Sequence, residues 1–212
     1  MKKIIKDACI LFAITLVAGV LLGIVYDVTK APIANQSEKA KQEAYRAVLP
    51  DAESFEAIEG ITCSDDSIIT VSGYVNDEIS DIVAGVKGGK IVGYVITVTD
   101  GAGYGGDIKF SVGVASDGTY MGTSILSISE TAGLGMRAKT DPSFLSQFNG
   151  VKVDSFSVVK DGTGSSADDK IDAISGSTIT SKAVTNGINA ALAEFKILNS
   201  SNVKTVGGAG VE

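Results

Sequence analysis

The chain has 212 residues, 18 basic and 25 acidic side chains, a net charge of −7 and no histidine. The acidic balance argues against nucleic acid as a partner. The missing imidazole excludes Ser-His-Asp and Cys-His hydrolase mechanisms and deprives zinc of its commonest ligand, so neither a catalytic residue nor a metal site is read from the sequence.

Residues 1–7, MKKIIKD, carry Lys2, Lys3 and Lys6, and the 19 residues that follow, Ala8 to Tyr26, contain no charge. Nineteen helical residues reach about 28 Å, close to the ~30 Å hydrocarbon core of a bilayer. This predicts a transmembrane anchor over 8–26. The basic flank predicts an N-terminus in the cytoplasm and an extracytoplasmic bulk, held at the cytoplasmic (inner) membrane. A cleaved signal peptide is the competing reading, but its apolar core is normally shorter and ends in a small-x-small site, which Pro32 interrupts here. Cys9 lies inside the span and Cys63 beyond it, so the two cysteines cannot pair within one chain.

From residue 27 onward the chain carries 15 basic and 24 acidic side chains, a net charge of −9. The stretch 27–50 contains NQSEKAKQEAYRAVLP, rich in helix formers and closed by Pro50, and predicts a stalk helix ending near Leu49. Runs rich in β-branched residues then follow at 67–74, 81–87, 91–99, 108–115 and 120–129. Gly88-Gly89-Lys90 and Ser116-Asp117-Gly118-Thr119 read as hairpin connections, which makes the sheet antiparallel. A short helix is expected over 141–148, opened by Asp141 with Pro142 at its first position, and one more strand at 156–161. After Thr178 the residues Val184, Ile188, Leu192 and Phe195 recur at helical spacing. The expected fold is therefore α+β: an anchor, a stalk, one domain over 51–198 with a mostly antiparallel sheet and flanking helices, and a flexible tail over 199–212.

Three stretches can carry chemistry. GAGYGG at 101–106 matches G-x-G-x-x-G literally, yet strand-like residues follow it where a dinucleotide fingerprint needs a helix. It reads as a loop with Tyr104 at its tip and Gly105 and Gly106 leaving room for a flat ligand. ETAGLG at 130–135 offers Glu130, Thr131, Gly133 and Leu134 in a second glycine-bearing loop. IDAISGSTITS at 171–181 crowds Asp172, Ser175, Gly176, Ser177, Thr178, Thr180 and Ser181 around the start of the last helix. One cap needs one hydroxyl, and a helix N-terminus suits a phosphate. Spacing alone leaves capping and phosphate binding both open.

The order GYGG, ETAGLG, then D-x-x-S-G-S-T, behind a single anchor, resembles the FMN-binding domain family, and within it the G subunits of Rnf-type complexes. Asp172, Ser175, Gly176 and Thr178 fill the family's flavinylation pattern in order. Ser177 stands where that pattern usually has alanine, and Ala132 where many members have proline. The resemblance implies FMN joined through its phosphate to Thr178 by an ApbE-type flavin transferase. Ser175, Ser177 and Thr180 would then serve phosphate oxygens, Tyr104 and Leu134 the ring, and Asp172 the loop or the transferase. It further implies a redox component rather than a stand-alone enzyme, working among other membrane and peripheral subunits that couple ferredoxin oxidation and NAD reduction to ion translocation. The C subunit of a sodium-pumping NADH:quinone reductase, a free-standing flavoprotein reductase and a cofactor-free anchored domain are the alternatives.

Overall fold

The structure, a computed structural model, describes residues 2–59, 69–70, 73–200, 205 and 207. It divides into two compact units, Met1–Gln42 and Glu43–Glu212. Helix α1 runs over Lys2–Val48, with Pro32 inside it, and includes both the expected span and the expected stalk. Its apolar side chains from Ile4 to Ile33 are exposed, as a helix surrounded by lipid requires, and it is long and apolar enough to cross a membrane.

The second unit is built on an antiparallel sheet. Strands β1 (Ser54–Ala57), β2 (Ile69–Thr70), β3 (Asp77–Lys87), β4 (Lys90–Asp100), β5 (Ile108–Ala115) and β6 (Tyr120–Ser127) form it in the order β1-β3-β4-β5-β6, with β2 also pairing β3. β1 was not foreseen. Of the strand expected at 67–74, only β2 and residues 73–74 lie among the described residues, and Cys63 lies outside them. The β3–β4 hairpin turns on Gly88 and Gly89, both at positive φ (58° and 79°), which suits the tight two-residue turn between Lys87 and Lys90.

After β6 come two short helices, α2 (Arg137–Thr140) and α3 (Pro142–Ser146). Asp141 caps α3 by accepting the Ser143 N–H at 3.1 Å; α2 was not expected. Strands β7 (Ser157–Val159) and β8 (Lys170–Asp172) pair in parallel, β8 being a further element the sequence did not suggest. Helix α4 (Thr178–Ser200) packs across β3, β4 and β5. It runs two residues into the segment expected as tail. Beyond it Thr205 bridges Ile58 antiparallel, and its hydroxyl donates to Glu56 at 2.6 Å; the other tail residues from 201 on, Gly207 apart, lie outside the described ones.

Both faces of the sheet are covered, which explains why β4 reads as an almost unbroken apolar run. One face meets α4 through Tyr94, Ile96, Val98, Phe110, Val184, Ile188 and Leu192. The other carries Val95 against Tyr45, Val48 and Leu49. The close approach on that second face needs glycine: a Cβ at Gly113 would lie 2.1 Å from the Val48 carbonyl oxygen, and one at Gly85 would lie 2.4 Å from Leu49 Cδ2.

Candidate functional site

At one end of the sheet the three stretches singled out in the sequence converge. The first is the β4–β5 loop. Asp100 Oδ1 accepts the Ala102 N–H at 2.6 Å and the Gly101 N–H donates to the Asn76 carbonyl at 2.8 Å, which anchors the near end of the loop. Its far end is held by Glu130, whose Oε1 accepts the Tyr104 N–H at 2.8 Å. Just beyond Tyr104, Gly105 lies so close to the next segment that a Cβ would sit 2.2 Å from the Ser129 carbonyl oxygen.

The second stretch closes on itself, because the Thr131 carbonyl accepts the N–H groups of both Leu134 (3.1 Å) and Met136 (3.2 Å). Gly133 supplies the positive φ, 77°, that this turn needs. Leu134 is thereby laid over Gly176, where a Cβ would meet Leu134 Cδ2 at 3.2 Å. Gly135 sits between two polar groups of the site: a Cβ there would be 2.5 Å from Glu130 Oε2 and 2.6 Å from Thr180 Oγ1.

The third stretch leads from β8 into α4. The Ser177 N–H donates to the Ile174 carbonyl at 2.9 Å with Gly176 at φ 77°, the arrangement of a type II turn. Ser181, fully buried, fastens that turn: its Oγ accepts the Ile174 N–H at 2.9 Å and donates to the Ser177 carbonyl at 2.9 Å. That carbonyl also accepts the Ser181 N–H at 2.9 Å, which places Ser177 at the N-cap of α4.

An N-cap serine ordinarily turns its hydroxyl to the first free N–H groups of the helix. Ser177 does not. Its Oγ is buried and has no hydrogen-bond partner among the described residues, with Ser177 only 6% exposed. Nor, among the described residues, do the N–H groups of Thr178, Ile179 and Thr180 meet an acceptor. A 23-residue helix thus opens with unsatisfied donors and the positive end of its dipole, beside a hydroxyl that has lost its usual task.

These donors face a cleft of about 620 Å³ lined by Tyr104, Glu130, Thr131, Leu134, Gly135, Gly176, Ser177, Thr178, Ile179 and Thr180. Eight of these come from the residues singled out in the sequence. Gly105, Gly106 and Gly133 shape the loops without lining the cleft, and Ser175 is exposed beside it. Asp172 faces elsewhere: its Oδ1 accepts the Gly164 N–H at 2.9 Å and it lines a separate cavity with Ser143 and Gln147. Its backbone is gripped at both ends by Gln147, whose Oε1 accepts the Asp172 N–H at 2.8 Å and whose Nε2 donates to the Asp172 carbonyl at 3.2 Å. Asp172 is therefore an anchor for β8. Sequence reasoning missed Gly135 and Ile179 as lining residues and Ser181 as the brace. All three lie inside the quoted stretches, but nothing in their type marks their roles.

Tyr104, Leu134 and Ile179 leave apolar surface exposed at the rim, with Tyr104 72% exposed. A cleft with apolar walls at one side and a helix N-terminus at the other suits a flat, phosphorylated ligand. The residues present fit FMN on this count, since the unpartnered Ser177 hydroxyl and the free N–H groups have an anion's oxygens to serve.

Comparison with known proteins agrees with this geometry. The FMN-binding domain family model matches residues 103–193, and the RnfG N-terminal region matches residues 1–48. The chain is 33% identical to the G subunit of the Na(+)-translocating ferredoxin:NAD(+) oxidoreductase complex of Acetobacterium woodii, covering 93% of this chain and 94% of that one. It is 34% identical to the G subunit of the proton-translocating complex of Clostridium ljungdahlii, covering 88% and 92%. In fold it is similar to NqrC of Shewanella oneidensis, with a TM-score of 0.54 at 19% identity, covering 77% of this chain and 100% of that one. The C subunit of the Na(+)-translocating NADH-quinone reductase of Parabacteroides distasonis gives 0.53 at 21%, covering 80% and 96%. With its apolar N-terminal helix and its FMN-binding domain, the chain belongs to the RnfG family, the G subunits of ion-translocating oxidoreductase complexes.

Proposed function

We propose that this chain is the electron-carrying G subunit of an Rnf-type ferredoxin:NAD oxidoreductase complex, with FMN held in the cleft through a phosphoester to Thr178. The observation that carries the reading is the opening of α4, where the half-buried Thr178 stands between a buried, unpartnered Ser177 hydroxyl and unsatisfied N–H groups. When bound there, FMN supplies reversible one- and two-electron chemistry that no side chain offers.

The residues divide the work. Ser177 Oγ and the N–H groups of Ile179 and Thr180 would donate to phosphate oxygens, and the helix dipole would offset their charge. Tyr104, Leu134 and Ile179 would give the ring apolar surface and exclude water from it. Glu130 keeps Tyr104 in place through the loop backbone. Ser181 and Gly176 set the turn that presents Thr178. In the attachment step the Thr178 oxygen would bond to the phosphorus of the FMN half of FAD, with AMP as the leaving group. The threonine proton would pass to a base, which need not belong to this chain because an ApbE-type transferase can supply it. Asp172 supports the step indirectly, by fixing β8 ahead of the turn.

The basic residues Lys2, Lys3 and Lys6 favour an N-terminus in the cytoplasm, with the flavin domain on the far side of the membrane. The alternative, a C subunit of a sodium-pumping reductase, rests on fold likeness alone, whereas the likeness to G subunits extends over nearly the whole chain. Purifying the chain from its own membranes under native conditions tests the proposal. Other subunits of the complex are expected to co-purify, and flavin fluorescence to follow this chain through a denaturing gel. A colourless chain that leaves the column alone, from cells that make the transferase, would overturn it.

A further inference from the structure

Beneath the loop that carries Tyr104 lie two carboxyls that the cleft does not use. Asp77 opens β3, Asp100 closes β4, and they are cross-strand partners. Asp77 is 2% exposed and Asp100 is fully buried. The two side chains lie within hydrogen-bond reach of each other. Among the described residues, Asp77 Oδ1 and Asp100 Oδ2 meet no N–H or O–H donor. Among the described residues no lysine or arginine pairs with either, and no cluster of side chains there could hold a metal ion.

Their surroundings offer no relief for two negative charges. Opposite Asp100, β5 presents Ile108. Helix α4 presents Gly187, where a Cβ would lie 3.1 Å from Asp77 Oδ1. The Tyr74 carbonyl accepts the Asp77 N–H at 3.2 Å, and Glu78, next along β3, is exposed. Burial raises Asp100, and the negative charge of Asp107, at the far end of the loop, raises it further. Two ionised carboxylates in such a site would repel each other without water or a cation between them. One proton, held as O–H···O⁻, removes both problems.

The same pair anchors the loop. Asp100 Oδ1 accepts the Ala102 N–H, and the Gly101 N–H donates to the carbonyl of Asn76, the residue before Asp77. Two residues beyond Ala102, the Tyr104 N–H reaches Glu130. We propose that Asp77 and Asp100 hold a single proton between them, and that this proton latches the base of the 101–106 loop, so that its loss loosens the loop and withdraws Tyr104 from the cleft. Burial first, then the hydrogen bond to Asp100 and its charge, push Asp77 up to about 8, which puts the release in the alkaline range. The latch rests on the loop and the carboxyls, whatever the cleft binds.

The test compares the full-length chain in detergent with an Asp77→Asn variant, whose amide can donate to Asp100 but has no titrating proton. Hydrogen exchange of the 101–106 amides is followed from about pH 6 to about pH 9, corrected for chemical exchange, and the infrared carboxyl band of the parent over the same range. In the parent, loop protection is expected to fall by up to roughly tenfold per pH unit as pH rises towards about 8 and to level off above it, together with loss of a protonated carboxyl band. The variant should keep a pH-independent loop. An equal fall in both proteins would overturn the latch, and so would the absence of any protonated carboxyl in the parent at neutral pH. The infrared result decides the matter alone if the variant does not fold.

Discussion

The side-chain oxygen of Ser181 accepts the backbone N–H of Ile174 at 2.9 Å, from seven residues further along the chain. The same hydroxyl donates to the Ser177 carbonyl, so one buried atom holds both ends of the turn that presents Thr178. Ser181→Ala leaves the Ile174 N–H unsatisfied in the interior, which costs about 1–3 kcal/mol. The expected outcome is a lower Tm together with slower flavin attachment to Thr178, measured as flavin per chain over time with the transferase present.

Ser177→Ala should behave in the opposite way in the flavin-free chain. Removing a buried hydroxyl that has no partner is neutral or stabilising, by up to about 1–3 kcal/mol. Once flavin is attached, the same change removes a donor to the phosphate, and the flavinylated variant should gain less stability from its cofactor than the parent does. Thermal unfolding of both proteins, with and without flavin, checks the pattern. A loss of stability in the flavin-free variant would show that Ser177 caps α4 after all.

Two glycines separate scaffold from site. Gly113→Ala drives a Cβ against the Val48 carbonyl and Gly105→Ala drives one against the Ser129 carbonyl, and backbone atoms cannot easily retreat. Each is expected to cost about 1–3 kcal/mol. Only Gly105→Ala should also lower the flavin content of chain that remains folded, because it parts the loop of Tyr104 from the segment of Glu130. Absorbance ratios of flavin to protein at a temperature where both variants are folded distinguish the two.

Stability should fall as pH rises through neutrality. Folded, Asp77 keeps its proton up to about 8, whereas unfolded it releases it near pH ~4. Between these values the folded chain binds the extra proton, so stability falls by up to about 1.4 kcal/mol per pH unit, and this contribution is constant below and above that window. Tm measured from pH 5 to pH 9 should decline in the parent and flatten in Asp77→Asn.

What the sequence revealed follows from what is local. Hydroxyls at a helix start, glycines in loops and an uncharged apolar run are patterns within a few residues, and they marked the anchor, the sheet and eight of the lining residues. Ser181 escaped because its partner is a backbone group, visible only once the turn at Gly176 is drawn. Asp172 was expected to orient the loop or serve the transferase, and the Gly164 N–H that it accepts turns it away from the cleft, a pairing that no local pattern announces. The Asp77–Asp100 pair depends on register: shifts at Ile79/Asp81 and Gly85/Val86 cancel, so the two residues face each other across an irregular hairpin. β8, at three residues, is too short for a periodic signal, whereas β7 falls inside the strand expected at 156–161.

Whether Thr178 carries the flavin is read from the intact mass of the chain. The chain is co-expressed with an ApbE-type transferase, beside a Thr178→Val variant, and both are weighed under denaturing conditions. The parent alone is expected to gain the mass of one FMN less one water. Equal gain in both would place the flavin on another residue, and no gain in either, with the transferase active, would contradict the attachment altogether.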